Sequence, residues 1–423
     1  MRQIPPFLVS LAGKSLLVAS SLLAACDGGT AQVDASSARD AFLRDVPAAD
    51  VFVPPGSDAN FPDAFAVTPD ANTPPSDAGP VSAGRYGACG ARPGRYFPAS
   101  SWIYTDVSTA SVAATSAATT AWLESQGGWG GSGRFQIDAS IVVLDADASA
   151  PRATPTVPDP GDRYDQCDNA VSIPLPTGGR VEGFDNYICP GRSLGEYNGD
   201  CHLIVADFSM NRLFESFSTS YEGGRLYTTC NISWDMTRDY WGARPTTTNP
   251  ANWGIGRDCT SSDAAGFPIA PLLVSVGDVM SGRVEHVIRF ILPNARMRRS
   301  DGTPEYVWPA THAGGPTASA IDAPIYGQQW RLRADFDPAA RGLDPANPVV
   351  RAVVYGLQHY GMALADGGNI PLTFESDVTC GTTWDSLTGE DGMRVLDGIS
   401  PSDFEVLATG PVEERNDCVQ FNR

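Results

Sequence analysis

Lysine is almost missing from this chain of 423 residues: Lys14 is the only one, and every later basic residue is arginine. A phosphate-binding P-loop and Schiff-base catalysis both need a lysine in the working part of the protein. The formal net charge of −20 also disfavours a nucleic-acid partner, whose phosphates require a basic surface. The composition therefore argues against these three classes of function.

Several motifs are absent as well. The sequence contains no Cys-x-x-Cys pair, no His-Glu-x-x-His and no Gly-x-Ser-x-Gly. Zinc-ribbon, zincin and common α/β-hydrolase chemistry therefore have no motif to support them. No apolar run reaches the roughly 18 residues that a membrane-spanning helix needs. We predict no cofactor, no preformed metal site and no spanning helix.

Residues 1–25 read as a cleavable export signal, because a charged start leads into the uncharged stretch from Ser15 to Ala25. The run Leu23-Ala24-Ala25-Cys26 resembles the lipobox of bacterial lipoproteins, whose signal is cut before the cysteine. The resemblance implies that Cys26 is the lipid attachment site, where two or more acyl chains would hold the protein stably on a membrane. The expected location is the cell envelope, on its periplasmic or extracellular face. An ordinary secretory signal with an incidental cysteine is the alternative.

The other cysteines suit disulfide bonds, because an even number of them remains in a chain that we expect to be exported. These disulfide candidates are Cys89, Cys167, Cys189, Cys201, Cys230, Cys259, Cys380 and Cys418. Proximity along the sequence favours the pairs Cys189–Cys201 and Cys230–Cys259. Zinc binding is the alternative use of these cysteines.

Residues 26–85 differ in composition from the rest of the chain, since they are rich in Asp, Pro and Ala and contain no Glu. Such a segment cannot bury enough apolar surface to fold, so we interpret it as a disordered acidic tether, with a binding segment as the alternative. Aromatic residues become frequent from residue 86 onward. We expect a disulfide-bonded β-rich globular region over residues 86–423, either one large sandwich with insertions or two fused units.

The globular region alternates short β-prone segments with turn residues, and few helices are indicated. The predicted helices are Ala110–Ser125 and Pro348–Tyr360. The predicted strands are Gln136–Leu144, Arg180–Ile188, His202–Phe208, Arg212–Phe217, Arg225–Trp234, Val284–Leu292, Gln329–Phe336, Met362–Ala365 and Ile370–Glu375, of which the third and fourth should form a hairpin. The pattern is typical of a mainly β fold, a large β-sandwich or jelly-roll-like domain with a few short helices. A two-layer α+β fold is the alternative.

With lysine almost missing, the sequence offers few side chains for acid–base catalysis. His202 opens a predicted strand that also holds Asp207, and a carboxylate can orient an imidazole. His286 lies within a predicted strand, on its apolar face. His312 follows an aromatic strand at a turn, and Asp366 lies in an Asp-Gly turn. Each of these residues also has a structural interpretation, as a buried, disulfide-adjacent or turn-forming residue.

Large aromatic residues accompany Arg and Asp in several loop-rich stretches; they are Trp234, Tyr240, Trp241, Trp253, Trp308 and Trp330. Flat rings beside carboxylates and guanidinium groups suit the faces and hydroxyls of sugars. The alternative is that the rings fill the core, where each buries a large apolar area. We predict that Trp308 and Arg289 contact substrate.

Five stretches of the sequence resemble a group of secreted bacterial and fungal proteins, over roughly residues 96–409. They are Tyr96-Phe-Pro-Ala-Ser-Ser-Trp, Ser262-Asp-Ala-Ala-Gly-Phe-Pro-Ile, Val284-Glu-His-Val-Ile-Arg-Phe, Tyr306-Val-Trp-Pro-Ala-Thr-His and Tyr360-Gly-Met-Ala-Leu-Ala-Asp-Gly. The resemblance implies a single exported domain and carries no mechanism with it. His202, His286, His312 and Asp366 belong to the shared pattern, which supports them as the predicted catalytic residues.

Three hypotheses follow for the function. The first is a lipid-anchored envelope protein whose β-rich domain binds or cleaves polysaccharide, with histidine as acid or base and Arg289 stabilising charge. The second is a non-catalytic structural or adhesion module on the cell surface. The third is a metal-dependent hydrolase whose ligands converge from distant positions in the sequence.

Overall fold

The computed structural model describes residues 96–156, 167–168, 170–189, 199–242 and 263–413. The predicted signal, the tether and Cys26 lie outside these ranges, as do Cys89, Cys259, Cys418 and Trp253. Strand accounts for 28% of the interpretable residues and helix for 19%. The fold is therefore β-rich with a few short helices, as the sequence predicts.

The strands are β1 (Ile137–Ile141), β2 (Val143–Ala146), β3 (Arg152–Ala153), β4 (Ile173–Pro174), β5 (Arg180–Val181), β6 (Phe184–Asp185), β7 (Leu203–Asp207), β8 (Arg212–Phe217), β9 (Ser220–Glu222), β10 (Arg225–Tyr227), β11 (Cys230–Asp235), β12 (Ile288–Leu292), β13 (Arg299–Ser300), β14 (Thr303–Pro304), β15 (Tyr306–Val307), β16 (Gln329–Leu332), β17 (Met362–Gly367), β18 (Leu372–Glu375), β19 (Phe404–Val406) and β20 (Val412–Glu413). The α-helices are α1 (Ser116–Ser125), α2 (Val276–Ser281), α3 (Pro348–His359) and α4 (Trp384–Thr388). Short 3₁₀ turns occur at Trp102–Tyr104, Ala270–Leu272, Asn294–Arg296, Ala339–Arg341, Gly389–Arg394 and Pro401–Asp403.

Two sheets organise the described residues. The larger is mixed, with six strands in the order β1-β18-β12-β17-β16-β19, and the smaller has four in the order β11-β8-β7-β2. In the larger sheet β1 runs parallel to β18 and β12 runs parallel to β17, while the other neighbours are antiparallel. In the smaller sheet only β2 and β7 are parallel. Since Val142 alone separates β1 from β2, one segment of chain runs from the larger sheet into the smaller one.

The two sheets share one apolar core. It takes alternate residues of the smaller sheet, such as Ile204, Ala206 and Leu213, together with Phe290 and Leu372 of the larger sheet. The intervening residues of β7 face a second apolar cluster, which contains Leu203, Val205 and Phe214. Successive side chains of a strand point to opposite faces, so both faces of the smaller sheet are covered.

Helix α3 shows how closely local signals set the boundaries of an element. The Asn347 side chain accepts hydrogen bonds from the backbone N–H groups of Val349 and Val350. Pro348 occupies the first turn, where a backbone N–H has no partner within the helix, so the N–H that proline lacks is not missed. The helix ends one residue before the predicted Tyr360, and Gly361 follows with φ = 70°. By contrast, α1 begins at Ser116, six residues after the predicted start, because residues 110–115 form a bridge and a turn instead.

One of the two favoured disulfides is confirmed and the other is wrong. Cys189–Cys201 is present, but Cys230 is bonded to Cys167 rather than to the predicted Cys259. The chain after Cys167 lies alongside β11, where the Asp168 N–H donates to the Asn231 carbonyl at 2.7 Å. This contact brings two cysteines 63 residues apart in sequence to a Cα–Cα distance of 5.3 Å, which proximity along the sequence does not reveal.

The predicted strands are mostly in place, although several are shorter or divided. The hairpin is confirmed by the antiparallel pairing of β7 with β8, from Leu203–Ser216 to Asp207–Arg212. The strand predicted over Val284–Leu292 begins only at Ile288, so placing His286 within a strand was wrong. The reason is that His286 follows helix α2, in the connection between that helix and β12.

No helix in the described ranges combines the length and the apolar character needed to cross a lipid bilayer.

Candidate functional site

A buried arginine gathers polar side chains on one face of the larger sheet. Arg289 of β12 is only 4% exposed. Its guanidinium donates hydrogen bonds to the Thr373 hydroxyl at 2.8 Å, to Asp366 Oδ2 at 2.9 Å and to Asp263 Oδ2 at 3.4 Å. We call these four residues the Arg289 cluster. A buried charge requires such partners, because leaving it unpaired is strongly unfavourable.

The sheet register places two members of the cluster. Phe290 pairs with Leu372 in antiparallel β12 and β18, so Arg289 lies opposite Thr373 on the same face. Asp366 belongs to β17, the other neighbour of β12, just beyond an irregularity in the register. This irregularity shifts the end of β17 by one residue and brings the Asp366 carboxylate to the guanidinium.

Asp263 enters the cluster from a loop rather than from a strand. The Ala265 N–H donates to the Ala365 carbonyl at 2.8 Å, and the Gly266 N–H closes a turn on the Asp263 carbonyl at 2.8 Å. Gly266 has φ = 77°, and a side chain there would collide with the Thr311 hydroxyl. Glycine is therefore required for the turn that holds Asp263 beneath Arg289.

The environment of Asp263 favours its neutral form. The side chain is fully buried. Burial raises its pKa, the charge of Arg289 opposes the rise, and the charge of Asp366 adds to it. Among the described residues, neither the second oxygen of Asp263 nor the Tyr326 hydroxyl has a hydrogen-bond partner. Burial also raises the pKa of Tyr326, and the carboxylates of Asp366 and Asp263 add to the effect.

Glu215 lies near this buried charge and has a structural explanation. One oxygen accepts the backbone N–H groups of Ile269 and Ala270, each at 2.8 Å, and the other accepts the Trp234 indole N–H at 2.9 Å. Burial raises the pKa of Glu215 to about 7, although these bonds oppose the rise. The carboxylate ties β8 to the 3₁₀ turn at Ala270–Leu272.

His202 and Glu182 form a second polar pair beside the cluster. The His202 Nδ1 lies 2.8 Å from Glu182 Oε2, and the Ser140 hydroxyl donates to Glu182 Oε1 at 2.9 Å. Burial would lower the pKa of His202, but the hydrogen bond and the charge of Glu182 raise it to about 9. The imidazole is therefore a cation at neutral pH, close enough to Arg289 for the two charges to interact.

The exposed fractions show where the cluster meets solvent. Asp263 and Arg289 form its floor, at 0% and 4% exposure. The Asp366 side chain is 26% exposed and the His202 side chain is 10% exposed. A carboxylate and an imidazolium are therefore the groups through which an external molecule would meet Arg289.

His312 borders the same region from another side. It is 6% exposed, and its Nδ1 lies 3.1 Å from the Thr311 hydroxyl. The Thr311 N–H donates to the Ala265 carbonyl at 3.0 Å, so residues 311–312 pack directly on the loop that carries Asp263. Of the predicted catalytic residues, the structure thus brings His202, His312 and Asp366 to one region of the molecule.

His286 and Asp207 lie elsewhere. The His286 Nε2 is 3.6 Å from Asp278 of α2, and its Nδ1 is 2.8 Å from the Val287 carbonyl oxygen. Asp207 is at the far end of β7, where it accepts the Ser209 hydroxyl at 2.6 Å and lies 3.8 Å from the Arg152 guanidinium. These contacts account for both residues as structural groups outside the cluster.

The aromatic residues divide in the same way. Trp234, Tyr240, Trp241 and Trp330 are at most 5% exposed and belong to the main core. The core interpretation of these four rings is therefore correct. Trp308, the predicted substrate contact, is half-buried, packs against the main core and precedes Pro309 through a cis peptide bond.

Several members of the site were not singled out in the sequence: Asp263, Thr373, Glu182 and Tyr326. Thr373 could have been found from the sequence, because the register of the predicted strands would place it opposite Arg289. Glu182 and Asp263 come from loops that only the folded chain brings to the sheet. Because the chain is rich in acidic residues, nothing in the sequence around Glu182 or Asp263 distinguishes them from the other carboxylates.

Within the described ranges, no three histidine, cysteine or acidic side chains are grouped so that they could hold a metal ion. No family model matches the sequence, and comparisons with curated proteins and with solved structures gave no match.

Proposed function

We propose that this chain is a lipid-anchored protein of the cell envelope whose β-rich domain binds and cleaves a carbohydrate polymer at the exposed edge of the Arg289 cluster. One observation carries the proposal for the site. Two carboxylates and a threonine converge on one buried arginine beside an imidazolium, and Asp366 and His202 are the most exposed of these groups, at 26% and 10%. Groups with perturbed pKa values concentrated in one place are typical of functional sites.

The two groups at the edge suit opposite roles in acid–base chemistry. His202, whose pKa is raised to about 9 chiefly by Glu182 acting against burial, is a proton donor at neutral pH. Asp366 is a carboxylate held by Arg289 and suits the role of base. Arg289 would stabilise negative charge that develops on the substrate, and the buried Asp263 would fix the guanidinium in place.

The direct test incubates the purified protein with a panel of acidic and neutral polysaccharides and measures new reducing ends and unsaturated products. We expect cleavage of at least one polymer, lowered by about 100-fold or more in Asp366→Asn and in His202→Gln. Cleavage should fall as the pH rises through about 9, because the imidazolium then loses its proton.

Asp391→Asn is the matched control, since it removes the same charge from an exposed position in the 3₁₀ turn Gly389–Arg394. It should cleave like the unmodified protein. A protein that neither cleaves nor binds any polymer of the panel would overturn the proposal, as would cleavage that survives in Asp366→Asn.

A non-catalytic surface module is the second candidate. It is favoured by the full burial of Asp263 and by the burial of Trp234, Trp241 and Trp330, rings that would otherwise stack on sugars. In that case Asp366→Asn and His202→Gln should alter stability alone. Adhesion to whole cells or to their polymers would persist in both variants.

The proposed anchor is tested separately from the site. Mass spectrometry of the protein from its native membrane should give a mature chain that begins at Cys26 with acyl groups attached. Cys26→Ser should release the protein from the membrane fraction. A mature chain that begins at another residue would contradict the anchor and leave the site hypothesis standing.

A further inference from the structure

Asn294 lies beside the exposed edge of the Arg289 cluster. It begins the 3₁₀ turn Asn294–Arg296, two residues after β12 ends at Leu292. Gly367, which directly follows Asp366, pairs with Leu292 in the parallel register of β12 and β17. The register therefore places Asn294 at the same end of the sheet as the Asp366 carboxylate.

The Asn294 side chain packs between two segments that carry predicted catalytic residues. A Cβ placed on Gly367 would lie 2.5 Å from Asn294 Oδ1, so the amide oxygen lies directly against the backbone that follows Asp366. A Cβ placed on Gly315, three residues after His312, would lie 3.5 Å from Asn294 Nδ2. The amide therefore lies between the chain that follows Asp366 and the chain that follows His312.

The backbone of Asn294 is held in place, while its amide is not used within the protein. The Asn294 carbonyl oxygen accepts the Thr317 N–H at 2.8 Å and the Met297 N–H at 3.3 Å. The side chain is exposed and makes no hydrogen bond with any residue that the structure describes. A carboxamide can donate two hydrogen bonds and accept two more. Asn294 thus presents a fixed hydrogen-bonding group to solvent, beside Asp366.

The cations of the site already have anionic partners. Arg289 donates to Asp366 Oδ2 at 2.9 Å, and His202 Nδ1 lies 2.8 Å from Glu182 Oε2. The carboxylate of an acidic sugar would have to compete with these two carboxylates and would be repelled by their charge. A sugar hydroxyl meets no such repulsion, and it matches the Asn294 amide because each group can both donate and accept.

We propose that Asn294 is a substrate-binding residue that recognises hydroxyl groups of an uncharged sugar unit beside Asp366. The inference rests on the proposed function and names its substrate class, a neutral polysaccharide. Because these hydroxyls do not react, the contact is equally strong in the ground state and in the transition state, so it lowers KM without changing kcat. His202 and Asp366 keep the roles of acid and base.

The first test measures cleavage of neutral glucan, mannan and xylan and of the polyuronates alginate and polygalacturonate. We expect a neutral polymer to have the highest kcat/KM. Asn294→Ala should raise KM for that polymer about fivefold and leave kcat within about twofold, because a neutral hydrogen bond is lost. When Asp366→Asn prevents cleavage, adding Asn294→Ala should weaken binding of the same polymer about fivefold, as measured by calorimetry.

Two glycine variants test whether the position of the amide matters. Gly367→Ala places a methyl group against Asn294 Oδ1 and should raise KM although the amide is retained. Gly315→Ala is the matched control, because its methyl group would make an ordinary contact with Asn294 Nδ2, and it should leave KM unchanged. The double variant Gly367→Ala with Asn294→Ala should have the KM of Asn294→Ala alone, because alanine at position 294 leaves room for the methyl group.

Three results would overturn the inference: an unchanged KM and affinity in Asn294→Ala, a higher kcat/KM for a polyuronate than for every neutral polymer, or additive effects of Asn294→Ala and Gly367→Ala on KM. Each of them is compatible with cleavage that depends on Asp366 and His202, so the proposed function would stand. A protein that neither binds nor cleaves any of the five polymers would overturn both.

Discussion

Two buried arginines on the larger sheet have very different surroundings. Arg331 of β16 donates to the carbonyl oxygens of Val107, Ser108 and Ala110 at 2.6 to 3.1 Å, and to Glu405 on the adjacent β19 at 2.6 Å. Arg289 of β12 donates only to side chains, two of which are carboxylates. One arginine ties a loop to the sheet, while the other gathers groups that can change their protonation.

A structural buried charge and a functional one differ in the chemistry of their partners. The carbonyl partners of Arg331 have fixed positions and no proton to exchange. Around Arg289, burial raises the pKa of Asp263, one oxygen of that carboxyl has no partner among the described residues, and Asp366 reaches solvent. Unsatisfied and titratable groups reduce stability, so their presence together indicates a role other than stability.

The largest loss in the free energy of unfolding is expected from removing Arg331, the structural arginine. Arg331→Met keeps the apolar stem of the side chain but leaves three backbone carbonyls and Glu405 without their donor. We expect a loss of about 3–5 kcal/mol in the free energy of unfolding, measured by denaturant titration. The loss should vary with pH less than the loss in Arg289→Met, because three of the four partners of Arg331 are carbonyl oxygens, which do not titrate.

A loss below about 1 kcal/mol in Arg331→Met would show that the loop holds its position without the guanidinium, and the contrast between the two arginines would fail. Arg341→Met supplies a reference for the loss of a less buried arginine, whose partner is Asp403.

Removing the other arginine should give a smaller and pH-dependent effect. In Arg289→Met the carboxyls of Asp263 and Asp366 lose their shared cation. Asp366 can turn to solvent and Asp263 can take up a proton, so we expect a loss of about 2–3 kcal/mol at pH 8. At pH 5 the loss should be smaller by about 1 kcal/mol, because the buried carboxyl of Asp263 protonates more readily there. The same denaturant titrations at the two pH values measure it.

The same pH dependence in Arg289→Met and Arg331→Met would contradict the distinction. It would mean that Asp263 does not titrate in the folded protein over this range.

The Glu182→Gln substitution tests the imidazolium beside the cluster. Without the Glu182 carboxylate, the effect of burial dominates the pKa of His202. We therefore expect this pKa to fall by about two from its value of about 9. The pKa of this histidine is raised in the folded state, so its stabilising contribution is complete below the unfolded value of about 6.5 and is lost as the pH rises through about 9. The free energy of unfolding of the variant should lose this pH dependence. It should also be lower by about 2 kcal/mol at neutral pH.

NMR titration of the imidazole signal measures the His202 pKa directly. Asp106→Asn is the matched control, because it removes the carboxylate partner of the more exposed His359, 3.2 Å away. It should leave the titration of His202 unchanged. A His202 pKa that stays near 9 in Glu182→Gln would assign the raised value to another group, and the acid role of His202 would lose its physical basis.

The sequence predicts the periodic parts of this fold and misses the contacts between loops. The hairpin of β7 and β8, the helix beginning at Pro348 and the β-rich class follow from alternation, capping and turn residues. The pairing of Cys167 with Cys230 does not, because it depends on where an irregular loop lies against β11. For the site, the predicted residues Arg289, Asp366 and His202 lie in one region of the molecule, and their predicted roles stay predictions. Asp263 was missed because only the turn through Gly266 brings it beneath the sheet.

The smallest effect should come from neutralising the carboxyl that most distinguishes the Arg289 cluster. Asp263→Asn keeps the shape of the side chain and an oxygen for Arg289, so the fold should be preserved. Burial raises the pKa of Asp263 above its unfolded value of about 3.9, so its favourable contribution to folding is complete below that pH and is lost as the pH rises toward the folded value. Between pH 5 and pH 8 the variant should therefore lose about 1 kcal/mol less stability than the unmodified protein. Glu215, whose pKa is raised to about 7 by burial, titrates in both proteins, so its slope is common to the two curves apart from its interaction with Asp263. Parallel pH–stability curves for the two proteins would show that Asp263 stays ionised, which would make the Arg289 cluster an ordinary ion pair like that of Arg331 with Glu405.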